Sequence, residues 1–333
     1  MVVKIRKFLF LFFIPLIIAL LSIAVYHVIP IIDLFTAFLL GLVVAKYIEH
    51  DFIYDNYQNY YLYFLLPLGL FFYGSQINLV FLLKQQLIVS FIVTGIIILY
   101  FLLIIPINRF IFHVSNRKLN YILAGANAVC GITATIAFIP FTNAKEEEIV
   151  PVVIAIFIAG FISSLLFICL NTYLDINVGS KTILASTTIN NTGAVFFAVE
   201  KLNKHLIYYA LAIKGLRVSA LIPISLFMMC LFASKNEKIT RDVYEHFNRS
   251  ILYALTLTFI IAFSAVLFTF VIGFHREMAL LYRIIFCMVL AGIGMSCKLN
   301  RVLYKTILIC VISSLASWFI VVAFVYICLK LFY

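Results

Sequence analysis

The residues with the most chemical potential in this 333-residue chain are two cations, Lys214 and Arg217, inside a long apolar stretch from Leu206 to Phe232. Three residues apart, they share one face of a helix. They lie roughly eight to eleven residues from one end of that stretch, near mid-bilayer at about 1.5 Å of rise per residue. A charge at that depth costs on the order of several kcal/mol if it faces lipid, so both must face protein or water. The one carboxylate inside an apolar stretch is Asp33, near the start of another. Two cations with at most one carboxylate leave positive charge in the membrane, and a bound anion is the simplest neutraliser. Pairing of one cation with Asp33, and of the other with carbonyls at an interrupted helix, is the alternative.

Two further stretches carry the groups that could orient such an anion. One runs Leu123-Ala-Gly-Ala-Asn-Ala-Val-Cys-Gly-Ile-Thr-Ala-Thr135, the other Leu184-Ala-Ser-Thr-Thr-Ile-Asn-Asn-Thr-Gly-Ala194. Polar and glycine residues at the centre of an apolar helix are costly in lipid and permit local unwinding. An unwound segment exposes a half-helix N-terminus, whose free N–H groups and positive dipole end attract anions. Asn127, Cys130, Gly131 and Thr133 in the first stretch, and Thr187, Thr188, Asn190, Asn191 and Thr192 in the second, can complete a shell around an oxyanion. Arg217 can also grip two oxygens through its planar fork. The competing explanation is that the small residues merely let helices pack closely.

The elements that must hold these residues follow from composition. Apolar and aromatic residues make up 65% of the chain and charged residues 11%, against roughly half and a quarter in soluble domains. That excludes a soluble globular domain, a disordered chain and a disulfide scaffold. The net charge of +11 lies in the gaps between apolar runs, so it speaks of membrane orientation and not of nucleic acid. Spans are expected at 8–25, 28–46, 59–79, 86–106, 119–141, 149–171, 181–199, 206–232, 250–272, 279–297 and 306–329, eleven in all. Lys4, Arg6 and Lys7 before the first run imitate a signal peptide, but the run is long and lacks a cleavage site, so it is read as a retained helix. With the N-terminus inside, the loops place 15 Lys and Arg inside and 6 outside, leaving Lys214, Arg217 and Arg283 within spans. This predicts a multi-pass protein of the cell (inner) membrane, N-terminus cytoplasmic and C-terminus external.

An internal echo suggests how the spans are related. Leu123-Ala124-Gly125 with Cys130 recurs as Leu290-Ala291-Gly292 with Cys297, five spans later, as two inverted five-helix repeats would leave it. On that scheme residues 1–27 form an extra N-terminal helix, 28–171 the first repeat and 172–333 the second, and span ten adds Gly294 and Ser296 to the binding set. Other features call for no chemistry. The seven cysteines (Cys130, Cys169, Cys230, Cys287, Cys297, Cys310, Cys328) show no metal spacing and read as buried thiols, and no cofactor or metal is expected. The six histidines fall at or beyond span ends, and no HExxH or GxSxG occurs, which argues against an enzyme. Lys145-Glu146-Glu147-Glu148 reads as a solvated helix start, with ion access as the alternative.

These residues resemble the YeiH-type membrane proteins, a family labelled as sulfate exporters. Pro67-Leu-Gly-Leu-Phe-Phe-Tyr-Gly-Ser-Gln-Ile-Asn-Leu79 is similar to its LGxxLxGLxxxL segment, and Val129-Cys-Gly-Ile-Thr-Ala134 with the trailing KEEE to its ICGASA block. Lys214-Gly-Leu-Arg-Val218 with Pro223 resembles its KLxRVxxLxP block, and Gly294-Met-Ser-Cys-Lys-Leu299 its C-terminal GLxxxL. One block departs. Where the family carries His-Asp or His-Glu in a TSIHDTAQV-like segment, this chain has Ile189-Asn190-Asn191-Thr192-Gly193-Ala194-Val195, without a titratable group. The resemblance implies an all-α membrane fold of the bile-acid-symporter and sodium/proton-antiporter kind, pairing inverted five-helix repeats around broken crossing helices.

The leading expectation is a secondary transporter of a small sulfate-like or organic oxyanion working by alternating access, with spans five and ten in its core and spans seven and eight supplying ligands. Removing Lys214 or Arg217 should then abolish anion binding and leave folding intact. A sodium-coupled symporter with structural Lys and Arg, and a non-transporting membrane component, are the alternatives. Partners would be the lipid bilayer, the anion, a coupling ion (H⁺ or Na⁺) and, compatibly, a second copy in a homodimer.

Overall fold

The computed structural model describes residues 2–26, 33–47, 64–74, 87–142, 144–233, 275–295 and 301–332, with positions 256, 260, 263, 264 and 267. Among these residues the secondary structure is helical throughout. In chain order the helices are α1 (Val2–Tyr26), α2 (Asp33–Ala45), α3 (Leu66–Gly74), α4 (Leu87–Pro106), α5 (Arg117–Ala128), α6 (Ile132–Thr142), α7 (Glu146–Leu170), α8 (Val178–Thr188), α9 (Thr192–Leu202), α10 (Ile207–Ser219), α11 (Leu221–Ala233), α12 (His275–Met295) and α13 (Arg301–Phe332). The chain forms two compact units, Met1–Gln76 with Phe259–Leu299, and Ile77–Thr258 with Asn300–Tyr333. Each unit therefore draws on both of the blocks 28–171 and 172–333.

In the first unit α12 packs against α1, α2 and α3. Glycines set the α2–α12 distance. A Cβ on Gly294 would meet Phe38 O, Leu42 N at 3.0 Å and Gly41 Cα at 3.1 Å, and one on Gly41 would meet Ala291 O. This is small-residue packing that lets two backbones touch. Gly294→Ala is expected to destabilise this unit by about 1–3 kcal/mol, read as a lowered thermal midpoint; an unchanged midpoint would refute the close approach. The helix α12 also runs unbroken through Gly292 and Gly294 to Met295. Among the described residues span ten therefore shows no interruption. Ser296 lies outside them, as do most of the predicted span 250–272 and the start of span 59–79.

The second unit contains the helices long and apolar enough to cross a membrane among the described residues: Leu87–Ile111, Glu147–Leu170, Lys204–Phe232 and Leu303–Phe332. These are α4, α7, the α10–α11 pair and α13. Between them spans five and seven were expected to cross. They do not. Asn116, which caps the start of α5, donates from Nδ2 to Glu148 Oε1 in the first turn of α7 at 3.3 Å. A Cβ on Gly125 of α5 would touch the Phe138 ring of α6 at 2.8 Å. Thirteen residues of straight helix would separate those two positions by ~20 Å, beyond the reach of a phenyl ring. The helices α5 and α6 therefore form a re-entrant hairpin that returns to the end of the unit where it began.

The pair α8–α9 folds back in the same way, since both arms pack along α10, a helix of 13 residues, about 20 Å. It starts beside the far end of α7, where Lys181 Nζ donates to Asn171 O at 2.7 Å. With 25 residues, α7 separates the two hairpin bases by about 37 Å. The hairpins thus enter from opposite ends and meet near mid-depth. Non-helical backbone is tolerated there because it is buried in protein. Among the described residues Cys130, Cys287, Cys310 and Cys328 are buried as expected, whereas Cys169 and Cys230 lie on the surface.

Candidate functional site: the hairpin tips

The first tip is built around a helix end that only glycine accommodates. Gly131 adopts φ +76°, the left-handed region that penalises a Cβ. Its N–H donates to Ala126 O at 2.8 Å, the reaching-back bond of a Schellman cap. A Cβ there would also lie 2.9 Å from Ile156 of α7 and 3.4 Å from Asn190 O of the other tip. The second tip is the three residues 189–191 between α8 and α9. Ile189 and Asn191 have ψ of 130° and 134°, and the Asn191 side chain caps α9 by accepting from Gly193 N at 3.0 Å. A short hydrogen bond between side-chain amides joins the tips, with Asn190 Nδ2 donating to Asn127 Oδ1 at 2.5 Å. Asn127 Nδ2 in turn donates to Leu123 O at 2.8 Å and to Ser314 Oγ of α13 at 3.1 Å.

Lys214 and Arg217 lie between the inward helix ends, and both are fully buried. Lys214 Nζ donates to Ile189 O at 2.5 Å and to Asn190 O at 2.8 Å. Arg217 donates from Nε to Ala128 O at 3.1 Å, from Nη1 to Thr187 O at 2.7 Å and Ile189 O at 3.3 Å, and from Nη2 to Asn127 O. Its guanidinium also lies 5.8 Å from the Tyr100 ring centroid, within cation–π range. The pair thus faces protein, as its mid-span position requires. Its partners, however, are carbonyls at the C-terminal ends of α5 and α8, where the helix dipole is negative. Asp33 begins α2 of the first unit, and its side chain lies outside what the structure describes. The described carboxylates of the second unit, Glu146, Glu147, Glu148, Asp175 and Glu200, all lie near the hairpin bases or the ends of α7.

The remaining expected ligands divide by what their polar atoms do. Thr187 and Thr188 spend their hydroxyl protons within α8, on Ile183 O at 2.7 Å and Leu184 O at 2.7 Å. In this arrangement neither proton is turned toward the crossing. Cys130, Thr133 and Asn191 are 6%, 8% and 6% exposed, and Thr192 is half-buried. These four mark the N-terminal starts of α6 and α9, where first-turn N–H groups have no helical acceptor. Gly294 belongs to the first unit, in the α2 contact described above.

Two residues of this site were not anticipated. Tyr100 of α4 lies 3.1 Å from Thr188 O and 3.2 Å from Asn190 Oδ1, sharing its phenolic proton between them. Ser314 of α13 steadies Asn127. The available signals were a lone phenol deep in span four and the Ser313-Ser314-Ser317 cluster in span eleven.

The electrostatic sum is favourable to anions. Each inward helix end carries about half a unit of negative charge and each outward start about half a unit of positive charge. The four ends cancel, so the charge left over at the crossing is that of the basic pair.

Comparison with known proteins places this chain in a family. The family model described as conserved hypothetical protein 698 matches residues 6–313. The chain is 25% identical to a UPF0324 membrane protein of Archaeoglobus fulgidus over 207 residues, 60% of each chain. It is 25% identical to another from Fusobacterium nucleatum over 238 residues, 67% of this chain and 65% of that one. A third, from Streptococcus pneumoniae, is 28% identical over 121 residues, 35% of this chain and 36% of the relative. The chain thus spans less than two thirds of the length of these relatives. No solved structure matches it.

Proposed function

The chain belongs to the conserved hypothetical protein 698 family, the YeiH-type UPF0324 membrane proteins, and from that premise we propose that it is a secondary transporter of a small oxyanion. The observation that supports this best is the hairpin crossing: two buried cations, no carboxylate among the described residues around it, and two helix starts at the same tips. In this reading Lys214 and Arg217 do not grip the substrate. They neutralise the negative ends of α5 and α8 and hold the tips together. The anion sits at the starts of α6 and α9, against backbone N–H groups and the Thr192 hydroxyl, and the Thr133 hydroxyl, which bonds the Cys130 thiol in this structure, would turn to it on binding.

Sulfate-like ions come first, because a tetrahedral oxyanion can accept from two helix starts at once. Carboxylates are the second class. Alternating access would use the hairpins as gates, each opening to the side from which it enters. The chain would sit in the cell membrane with its N-terminus cytoplasmic and act without converting its substrate. Neither Asn190 nor Asn191 carries a titratable side chain, so protons would not couple through that pair.

The test is thermal stabilisation and proteoliposome uptake with sulfate, sulfite, sulfonates and carboxylates, against chloride. Thr192→Pro, read against Thr192→Val, which loses the hydroxyl alone, isolates the helix start. It removes one N–H at the first helical position, where proline is well accommodated, and follows Asn191, whose extended ψ of 134° suits a residue before proline. It is expected to weaken anion stabilisation by roughly tenfold, the loss of one charge-assisted hydrogen bond, while the ligand-free midpoint stays near that of the parent. Unchanged anion affinity would remove the α9 start from the site.

A further inference from the structure

The carbonyls gathered by the basic pair form a shell of the kind that coordinates a bare cation. Asn127 O and Ala128 O close one inward arm, and Thr187 O, Ile189 O and Asn190 O close the other. All of these accept from Lys214 or Arg217. The intervening Thr188 O accepts from Tyr100. Unwound carbonyls backed by half-helix C-termini are the groups that hold a coupling cation in transporters built on broken helices. These oxygens are neutral and no carboxylate joins them, so the shell suits a monovalent ion rather than a divalent one.

We propose that Lys214 and Arg217 fill a monovalent-cation site made by the two hairpin tips, so that the protein needs no dissolved sodium or potassium to hold them together, and that truncating Lys214 opens a vacancy which takes up such an ion. The ammonium group supplies the charge and Ile189 O and Asn190 O the ligands, and a small cation can replace the former without moving the latter. The inference stands on the carbonyl shell and is independent of what the opposite helix ends bind.

The experiment is the thermal midpoint of purified full-length protein as choline chloride is exchanged for sodium, potassium or methylammonium chloride at fixed ionic strength. The parent should not respond. Lys214→Ala should melt lower in choline and recover saturably by roughly 3–6 °C in at least one of the small cations. Lys214→Met, whose unbranched side chain refills the space without charge, should recover nothing. A sodium- or potassium-induced rise in the parent, or no recovery of Lys214→Ala in any of the three salts, overturns the proposal. If Lys214→Ala does not accumulate, its yield from cells grown with and without methylammonium chloride is read instead: restored yield supports the proposal and unrelieved loss overturns it. Sulfate added in the same assay reports on the anion site, so the two readings fail separately.

Discussion

Arg217→Ala is expected to lower the stability of the protein by about 3–5 kcal/mol, the usual cost of stripping one partner from a buried charged network. In a unit of this size that is a fall of roughly 10 °C in thermal midpoint. The reason is acceptor bookkeeping. The guanidinium donates to carbonyls of Asn127, Ala128, Thr187 and Ile189, and a buried carbonyl left without a donor bears its full desolvation penalty. This revises the expectation from composition alone, in which the cation bound only the substrate and its loss left folding intact. Arg217→Lys should fall between, because an ammonium keeps the charge but cannot span both tips with a planar fork. Differential scanning fluorimetry in detergent measures all three proteins. A midpoint for Arg217→Ala within about 2 °C of the parent, below the effect of 1 kcal/mol, would mean that water satisfies the carbonyls and that the tips are wet.

The second large effect concerns sidedness and is all-or-none. In a cysteine-free background, Ser115→Cys and Lys145→Cys flank the first hairpin, and Asp175→Cys and Lys204→Cys flank the second; all four positions are exposed. An impermeant maleimide applied to one face of sealed vesicles should label both members of one pair and neither of the other. Two crossing helices in place of hairpins would put Ser115 and Lys145 on opposite faces and split each pair. That outcome would end the hairpin description and the tip-to-tip site with it.

Why the hairpins were illegible in the sequence is instructive. Residues 119–141 and 181–199 are each long enough to cross a bilayer once, and length and hydropathy cannot distinguish one crossing from two half-crossings. The charge tally could not either. Two hairpins in place of two crossings move Lys145 to the inner side and Lys181 to the outer side, and the tally stays at 15 against 6. The interruption itself was legible at Asn127–Thr133 and Thr187–Thr192, because glycine, asparagine and threonine at mid-span signal an unwound backbone. The echo between Leu123–Cys130 and Leu290–Cys297 pointed to span ten as the partner of span five, yet α12 is continuous to Met295. Its glycines serve close packing on α2, a use that leaves the same small residues in the sequence.

The amino-acid sequence by itself determined that this is a helical membrane protein, that Lys214 and Arg217 are buried in protein and that spans five and seven are interrupted. Each follows from the cost of polar groups in hydrocarbon, a property of local composition. Only the tertiary structure decided what the cations touch. Ala128 and Arg217 are 89 residues apart, and Asn127 and Ser314 are 187 apart. A backbone carbonyl is identical in every residue, so no side-chain pattern could announce it as the partner; its availability depends on where two helices end in space.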